Sequence, residues 1–550
     1  MHKVRRRTFA ALLAGTFTTT GLAACGGASD SGDQGGGAAA AGHTLLLGKL
    51  VPLQSVDPHK VNDGTSNEVL TAVYDGLYTL DADHEIVPLM AESFVKSDDG
   101  LSYTFTLRDA TWSNGTPVTA HDFEYSWKRL VNPATAAPNS NEAVAAGILN
   151  ANAIVNEGAD FNSLGVTATD AKTLTVQLAA DVPYFQALLV RPAFLPVNQK
   201  FAEQAGSDFG SNPDSTIYNG PFTWDSWDFA ENFTAVKNTT YWNKDAETLG
   251  GLTWRVVTDS QTGALLQESG ELDWVEISGS LIDRYADSDA LVTALEVHMW
   301  WMYPNFSNAA LANKDIRTAL ATSFDKDAVA KDVLRNGAEA ANYFVGKNLA
   351  TGPDGKQFRD TGATFLEFDL DAAKAAWTAG LAALGQTSLT LRLLYWDDDA
   401  SVSQAEYIAA EWEKVLTGLK VELTSAVKAT ANETAGNGDF DLYLFRWGPD
   451  YKDPMAFLEL LGSDSARDFG GYQNAQYDAI VAGARTAEVL SDQQARWDSL
   501  HQAEKILLGD VGVIPTVQNG IAMLVNPNVN GMEVRNVSLT WNYRIVTKKA

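Results

Sequence analysis

The chain has 550 residues, which leaves room for about three or four units of ordinary domain size. Its formal charge of −29, from 40 basic and 69 acidic residues, argues against a protein that grips nucleic acid through basic patches. With 45% apolar and 20% charged residues, the composition is that of an ordinary globular protein. The single cysteine excludes an internal disulfide and a thiolate zinc cluster. The sequence contains no unbroken run of about 18 apolar residues, so it predicts no membrane-spanning helix.

The first 24 residues are typical of a secretory signal rather than of a folded segment. Basic residues between positions 3 and 7 precede an apolar stretch of small residues, which ends in LAACG at 22–26. This ending resembles the lipobox of bacterial lipoproteins, and the resemblance implies cleavage before Cys25 and a diacylglycerol on its sulfur. A plain signal peptide with a chance cysteine is the alternative. The residues leave open whether export uses the general or the twin-arginine route.

Residues 25–43 are predicted to form a flexible tether, because glycine-rich sequence has no preferred geometry. Seven of the eighteen residues from 25 to 42 are glycine. A lipid followed by a tether would place the protein at the extracytoplasmic face of the cell membrane. Cleavage would remove four basic residues and change the charge from −29 to −33, so the acyl chains rather than basic side chains would hold it there.

Hydrophobic patterns along the body predict an α/β protein. Segments with buried or alternating apolar residues predict strands at 44–50, 101–107, 174–178, 252–257, 272–277, 389–395 and 419–423. Apolar residues at helical spacing predict helices at 69–80, 122–131, 262–270, 315–321, 371–383 and 405–416. Thr119 is the expected N-cap of the second helix, with Asp122 three residues later. Strand–helix–strand units at 252–277 and 389–423 indicate that the second half is α/β.

Motifs for catalysis or metal binding are missing from the sequence. The seven histidines form no pair at helical spacing, and neither a nucleophile elbow nor a phosphate-binding glycine loop occurs. His121 with Glu124 comes nearest to a metal couple, but a solvated polar face is the favoured interpretation. Because catalytic triads form from residues that are remote in sequence, an enzyme is disfavoured rather than excluded. No cofactor or metal is expected.

Several segments together resemble one family, the extracytoplasmic oligopeptide-binding proteins of ABC transporters. The longest is WSNGTPVTAHDFEYSWKR at 112–129. The others follow the family order from residue 44 to about 520 and include VYDGLYTL at 73–80, VPYFQALL at 182–189, YNGPF at 218–222 and WGPDYKDPMAFL at 447–458. The lipobox agrees with this resemblance independently, since Gram-positive members are lipid-anchored.

The resemblance implies an α/β fold of the periplasmic-binding-protein type, type II, in its large class with an extra inserted domain. Two lobes would be joined by a two-segment hinge, with the ligand enclosed in a cleft between them. Carried over, lobe I covers 44–75, 182–296 and 516–550, the inserted domain covers 76–181, and lobe II covers 297–515.

The implied function is that of a non-enzymatic substrate-binding protein of an ABC importer. It would capture oligopeptides between its lobes, deliver them to the permease subunits and act as a monomer, without binding nucleic acid. A receptor for many peptides must rely on what peptides share, namely the ammonium group, the backbone and the carboxylate. Side chains would enter roomy pockets in which water adapts to each ligand.

The resemblance also assigns ligand-binding roles to particular residues. Asp450 would form an ion pair with the amino terminus of the ligand, and Trp447 would form the wall of a side-chain pocket. The other residues expected at the cleft are Gly448, Pro449, Asn62, Asp63, Gly64, Tyr125, Trp301, Tyr303 and, as a weaker candidate, Ser278. Structural interpretations compete with these roles, because Asp450 would also suit a turn cap, and Trp447 and Tyr125 would also suit the core.

Two departures from the family pattern leave the preferred ligand length open. Some members use an arginine three residues before the Trp447 position for ligand carboxylates, but this chain has Leu444 there. The nearby Arg446 is displaced from that position and remains a candidate for ligand binding. The acidic residue of the family at the Asn62 position is also absent, with Asp63 adjacent.

Other functions remain open at this point. The same fold carries nickel chelates, haem, opines and oligosaccharides, and tryptophan-lined clefts suit sugars. A peptide-sensing receptor that feeds no transporter and an envelope-anchored hydrolase are the remaining alternatives.

Overall fold

The computed structural model describes residues 43–549, except 50–51, 62, 83–84, 183, 229–230, 450, 466, 487–488, 490–491 and 533–540. The signal segment, almost all of the tether and Cys25 lie outside the described residues, as do Asn62 and Asp450. What the sequence predicts for these positions therefore stays a prediction. All described residues belong to one compact unit.

The strands, numbered in chain order, are β1 (Thr44–Lys49), β2 (Tyr78–Leu80), β3 (Ile86–Pro88), β4 (Ala91–Lys96), β5 (Ser102–Leu107), β6 (Val166–Ala168), β7 (Thr173–Gln177), β8 (Phe222–Asp228), β9 (Asn232–Lys237), β10 (Gly251–Val256), β11 (Trp274–Ile277), β12 (Leu291–Pro304), β13 (Glu339–Ala340), β14 (Leu389–Trp396), β15 (Leu419–Ala426), β16 (Leu442–Trp447), β17 (Ile514–Val525), β18 (Val529–Asn530) and β19 (Thr547–Lys548).

The helices are α1 (Gly64–Val73), α2 (Ala120–Val131), α3 (Asn141–Ala145), α4 (Ala151–Glu157), α5 (Phe185–Leu188), α6 (Gln199–Ala205), α7 (Ser260–Glu268), α8 (Ser280–Arg284), α9 (Ala309–Ala312), α10 (Lys314–Thr322), α11 (Lys326–Ala328), α12 (Phe358–Thr361), α13 (Leu370–Leu384), α14 (Asp399–Val415), α15 (Lys428–Gly436), α16 (Met455–Leu458), α17 (Ala475–Gly483) and α18 (Gln493–Gly509). Val329–Leu334 forms a π-helical turn after α11.

One large sheet runs through the body, in the order β15-β14-β16-β12-β17-β11-β1-β10-β9-β8, with β13 paired to β17. Strand β1 is parallel to β10 and β11, and β14 is parallel to β15 and β16. Each parallel set contains one of the strand–helix–strand units that the sequence predicts. We call the side from β11 to β8, with the helices packed on it, the first lobe, and the side from β15 to β16 the second lobe. This two-lobed α/β architecture confirms the predicted fold class.

Strands β12 and β17 lie between the lobes and belong to both. They pair antiparallel, with Leu291 opposite Leu524 on the first-lobe side and Met302 opposite Ile514 on the second-lobe side. The register shifts between Leu295 and Met299. An irregularity of this kind bends a strand pair and increases its local twist.

A separate antiparallel sheet, in the order β4-β5-β7-β6, forms from residues 91–177. Helix α2 packs on it, with Phe123 and Trp127 fully buried. Thr119 precedes this helix as predicted, and its backbone amide donates to the Asp122 carboxylate at 2.8 Å. The carboxylate thus holds the residue that starts the helix.

The predicted helix at 69–80 is only partly correct. Helix α1 ends at Val73, and Tyr78–Leu80 pairs instead with Ile86–Pro88 as strand β2. The chain leaves the helix because the carboxylate of Asp75 is buried beside Arg544 and accepts a hydrogen bond from Tyr241. These long-range contacts override a local apolar spacing that is compatible with a helix.

In the part of the chain that the structure describes, no helix combines the length and the apolar character needed to cross a membrane.

Candidate functional site

Contacts between the lobes define a cleft. The ring of Tyr184, which precedes α5 beside the four-stranded sheet, stacks on the ring of Tyr451, which follows β16. A cavity of about 370 Å³ next to this stack is lined from both sides, by residues that include Ala187 and Trp497. The carboxylate of Asp63, at the start of α1, acts electrostatically on the ammonium of Lys428, at the start of α15. We call the space between these facing surfaces the cleft.

The second-lobe wall of the cleft is formed by cations that cover two buried indole rings. Arg446 lies over the rings of Trp300 and Trp396, at 4.7 and 4.9 Å, and forms an ion pair with Asp398 at 3.2 Å. Lys428 lies over the Trp396 ring at 4.9 Å. Partial burial, followed by the neighbouring guanidinium groups, lowers the pKa of Lys428. The protein's own cations therefore occupy these aromatic faces.

The end of β16 forms another part of this wall. The ring of Trp447 is half-buried and carries the guanidinium of Arg467 at 4.0 Å from its centroid. Gly448 is half-buried, and a Cβ at this position would collide with the ring of His298 in β12. A larger residue at this position would therefore have to displace the partly exposed ring of His298. Pro449 is buried.

The first-lobe residues Asp63 and Gly64 lie at the start of α1. Oδ1 of Asp63 accepts a hydrogen bond from the amide of Ser66 at 2.9 Å and so caps the helix. Oδ2 is buried, and no described residue donates to it. Gly64 is exposed, and a Cβ there would meet no atom within 4 Å. This segment therefore offers an unfilled acceptor and accessible backbone beside Lys428.

The floor of the cleft carries two acidic side chains, Glu276 in β11 and Glu296 in β12. Burial and then the carboxylate of Glu296 raise the pKa of Glu276 to about 7. Lys49 and Arg446 act in the opposite direction, and Asp398 adds to the increase. Because these groups come from the first lobe, from β12 and from the second lobe, Glu276 lies where all three meet.

Tyr125 lies in a different environment from the residues above. It is half-buried and lines an open groove of about 810 Å³, whose described lining residues all fall between Lys60 and Ser207. Burial raises the pKa of its phenol. Its contact with a ligand stays a prediction. Ser278 is half-buried directly after β11, two residues from Glu276, and its role likewise stays a prediction.

Among the described residues, no group of three or more histidine, cysteine, aspartate and glutamate side chains is placed to hold a metal ion.

The sequence matches the family model of bacterial extracellular solute-binding proteins, family 5, over residues 85–469. The chain belongs to this family. It is 31% identical to the dipeptide-binding protein DppE of Bacillus subtilis over 493 residues, which covers 88% of this chain and 89% of DppE. It is 32% identical to the dipeptide-binding protein of Lactococcus lactis over 509 residues, covering 89% and 92% of the two chains. The relationship to the peptide ABC transporter family inferred from the sequence motifs is confirmed.

Solved structures give the same relationship. The structure of Listeria monocytogenes OppA bound to peptide superposes with a TM-score of 0.80 at 33% identity, covering 92% of this chain and 99% of that one. Family members are extracellular solute-binding proteins, which ordinarily hold their solute between two lobes, so the cleft is the candidate site of this member.

Two predicted wall residues of this solute-binding protein lie elsewhere. Trp301 and Tyr303 are fully buried inside the second lobe. The Trp301 ring packs edge-on against Phe344 and Phe445, and the Tyr303 hydroxyl donates to the carbonyl oxygen of Arg467. Both rings are therefore core residues. Alternate residues of β12 point to opposite faces, and both faces are covered here, since Trp300 and Met302 are buried on the other side.

Several cleft residues were missed by reasoning from the sequence. They are Tyr184, Glu276, Glu296, Lys428 and Arg467. Glu276 left a usable signal, because an acidic residue between Val275 and Ile277 is unusual in a short apolar strand. The others carry no local signal, since their positions depend on pairing between distant strands.

Proposed function

We propose that this family member is the substrate-binding protein of an ABC importer, which captures oligopeptides in the cleft and delivers them to permease subunits. The proposal includes a lipid anchor on Cys25 that holds the protein at the extracytoplasmic face of the membrane. It also includes the division into lobe I (44–75, 182–296 and 516–550), an inserted domain (76–181) and lobe II (297–515).

The observation that carries the proposal is the separation of charge across the cleft. Lys428 and Arg467 lie on the second-lobe wall, whereas Asp63 lies on the first lobe. A short peptide is a zwitterion, with an ammonium group at one end and a carboxylate at the other. Charges placed in this way complement both ends of such a ligand.

The buried oxygen Oδ2 of Asp63, to which no described residue donates a hydrogen bond, also supports a peptide ligand. A buried carboxylate oxygen without a donor is costly unless a ligand or water supplies one. The peptide backbone carries donors at every residue except proline, so a peptide extended past the start of α1 would satisfy Oδ2 of Asp63. The names of the relatives agree, since the Bacillus and Lactococcus proteins are dipeptide-binding and the Listeria structure holds a peptide.

An oligosaccharide ligand fits the cleft less well. Sugars stack on open aromatic faces, but the indole rings of Trp300, Trp396 and Trp447 are covered by Arg446, Lys428 and Arg467. A sugar would have to displace these cations.

Mass spectrometry of the ligand that co-purifies with the native protein tests the proposed function. We expect a mixture of short peptides. The protein is then unfolded and refolded to remove this ligand. Calorimetric titration of the ligand-free protein with synthetic peptides should show binding. A co-purified sugar, opine or metal chelate, together with no heat on titration with any peptide, would contradict the proposal.

A further inference from the structure

Among the residues that the structure describes, no lysine or arginine forms an ion pair with Glu276 or Glu296, the two acids on the floor of the cleft. The nearby ammonium of Lys49 is paired with Glu68 at 2.6 Å, in a buried contact. The other nearby cation, Arg446, forms an ion pair with Asp398 in the second lobe. Among the described residues, no donor forms a hydrogen bond with the carboxylate of Glu276.

The direction of the Glu276 side chain follows from the alternation along β11. Val275 and Ile277 pack into an apolar cluster on one face of the sheet. Trp274 and Glu276 therefore share the opposite face, where Lys49 lies over the ring of Trp274 at 4.4 Å. Glu276 is half-buried on this face, so its carboxylate reaches the space between the lobes without being freely solvated.

Glu296 lies at the register shift between Leu295 and Met299, and its carboxylate is held in place by Asn519. Nδ2 of Asn519 donates to its carboxylate at 2.5 Å, and Nε1 of Trp300 donates to Oδ1 of Asn519 at 2.9 Å. The ring of His298 lies 3.6 Å from the same carboxylate. Glu296 is thus an oriented acid rather than a mobile surface side chain.

We propose that Glu276 and Glu296 together bind a basic side chain of the ligand and so select lysine- or arginine-containing peptides. This inference rests on the proposed function, because it assigns a specificity to the same cleft. Two neighbouring carboxylates that are partly removed from water repel each other, and a cation between them removes this repulsion while it gains charge-assisted hydrogen bonds. A neutral side chain at the same position gains neither.

The test compares peptides that differ only in charge. Alanine tri-, tetra- and pentapeptides carry either lysine or norleucine at one position, and each pair is titrated into the protein by calorimetry at pH 8. Because both members of a pair keep the same free amino terminus, a difference between them reports the side chain alone. The variants are Glu276→Gln and Glu296→Gln. Glu271→Gln, which changes an exposed acid just before β11, is the matched control.

We expect at least one lysine peptide to bind the wild-type protein about tenfold or more tightly than its norleucine partner. Glu276→Gln and Glu296→Gln should each reduce this ratio to about threefold or less, while the affinity for norleucine peptides is kept. Retained norleucine binding also shows that the variants are folded. Glu271→Gln should leave the ratio unchanged.

A proton readout provides a second test. The groups that face Glu276 are Glu296, Lys49, Arg446 and Asp398, and His298 lies beside Glu296. Since the pKa of Glu276 is about 7 in the free protein, a bound cation should release protons near neutral pH, and the lysine preference should fall as the pH drops from 8 to 6. Titration in buffers of different ionisation enthalpy measures this release.

Three outcomes would overturn the inference. If the wild-type protein binds lysine and norleucine peptides with about equal affinity, it binds peptides but does not select basic side chains. Equal weakening of lysine and norleucine peptides by Glu276→Gln would show that the acids bind the amino terminus instead. Failure of every peptide to bind would contradict the proposed function, and this inference with it.

Discussion

The ring of Tyr184 stacks on the ring of Tyr451 across the two lobes, with centroids 4.0 Å apart and planes inclined by 14°. The Tyr451 ring is 2% exposed, so the contact excludes water. Because the two residues belong to opposite sides of the cleft, the stack forms only when the lobes are close together. It is therefore one of the contacts that stabilise the closed form.

Replacing Tyr184 by alanine should favour the open form. An aromatic pair contributes about 0.5–1.5 kcal/mol beyond the area that it buries, so we expect faster ligand release and weaker binding by about that amount. Small-angle scattering of the ligand-free protein should show a larger radius of gyration. Tyr407→Ala, in α14 of the second lobe, is the control. Unchanged release kinetics and dimensions in Tyr184→Ala would show that the stack does not stabilise closure.

Replacing Asp450 by alanine should weaken peptide binding by about 2–5 kcal/mol, the usual loss when one partner of a buried charge pair is removed. This expectation comes from the family resemblance of the WGPDY segment. Acetylation of the peptide amino terminus should cause a similar loss in the wild-type protein and little further loss in Asp450→Ala. Asp439→Ala, at an exposed second-lobe acid, is the control. Calorimetry that shows no effect of acetylation would contradict the ammonium anchor.

Replacing Arg359 by alanine should destabilise the second lobe by about 3–5 kcal/mol, because it leaves the carboxylate of Glu504 buried without its cation. The two side chains are 6% and 1% exposed and lie 2.7 Å apart. The same carboxylate accepts the amides of Phe344 and Val345, so it cannot turn towards water without breaking these bonds.

The matched control for this substitution is Arg255→Ala, which removes an exposed ion pair with Glu271. We expect a change below about 1 kcal/mol there. Urea unfolding of both variants measures the two free energies, and equal effects would mean that burial does not determine the cost.

Stability should fall as the pH drops from about 6.5 to 4, partly because of His59. Burial, with Arg129 as the next cause, lowers the pKa of this histidine to about 4. Its Nδ1 faces NH1 of Arg129 at 2.8 Å, so Nδ1 accepts and the ring is neutral in the folded state. In the unfolded state His59 takes up a proton near its ordinary pKa of about 6.5. Within this pH window the unfolded state therefore binds more protons, and the loss amounts to about 2–3 kcal/mol.

Urea unfolding at pH 7 and pH 4.5 checks this prediction. His59→Gln should lose less stability than the wild-type protein between the two pH values. His121→Gln, whose native side chain is 61% exposed, should behave like the wild-type protein. An identical pH dependence for His59→Gln and wild type would exclude His59 as a source of the acid sensitivity.

Local patterns predicted the elements whose stability is local. Helix α2 is specified by Thr119 and Asp122 at its start and by buried Phe123 and Trp127 along one face. The unit β14–α14–β15 could likewise be predicted, because apolar residues recur at strand spacing in β14 and β15 and at helical spacing in α14. The helix predicted at 69–80 was wrong at its end, since Asp75 is placed by Arg544, which lies far away in the sequence.

The cleft was less predictable than the fold for the same reason. The position of Glu276 depends on the pairing of β11 with β17, in which Glu276 lies opposite Met523. Likewise, Trp301 and Tyr303 could be placed in the core only once it is known that the second lobe covers both faces of β12. Pairing between distant strands is decided by the whole molecule, so no short segment reveals it.

Because β12 and β17 pass through both halves of the large sheet, the two halves should not unfold independently. Cutting the protein into halves at the register shift would leave each fragment with severed strands and a row of unpaired amides and carbonyls, which are prone to aggregate. Heating should therefore melt both halves in a single cooperative event.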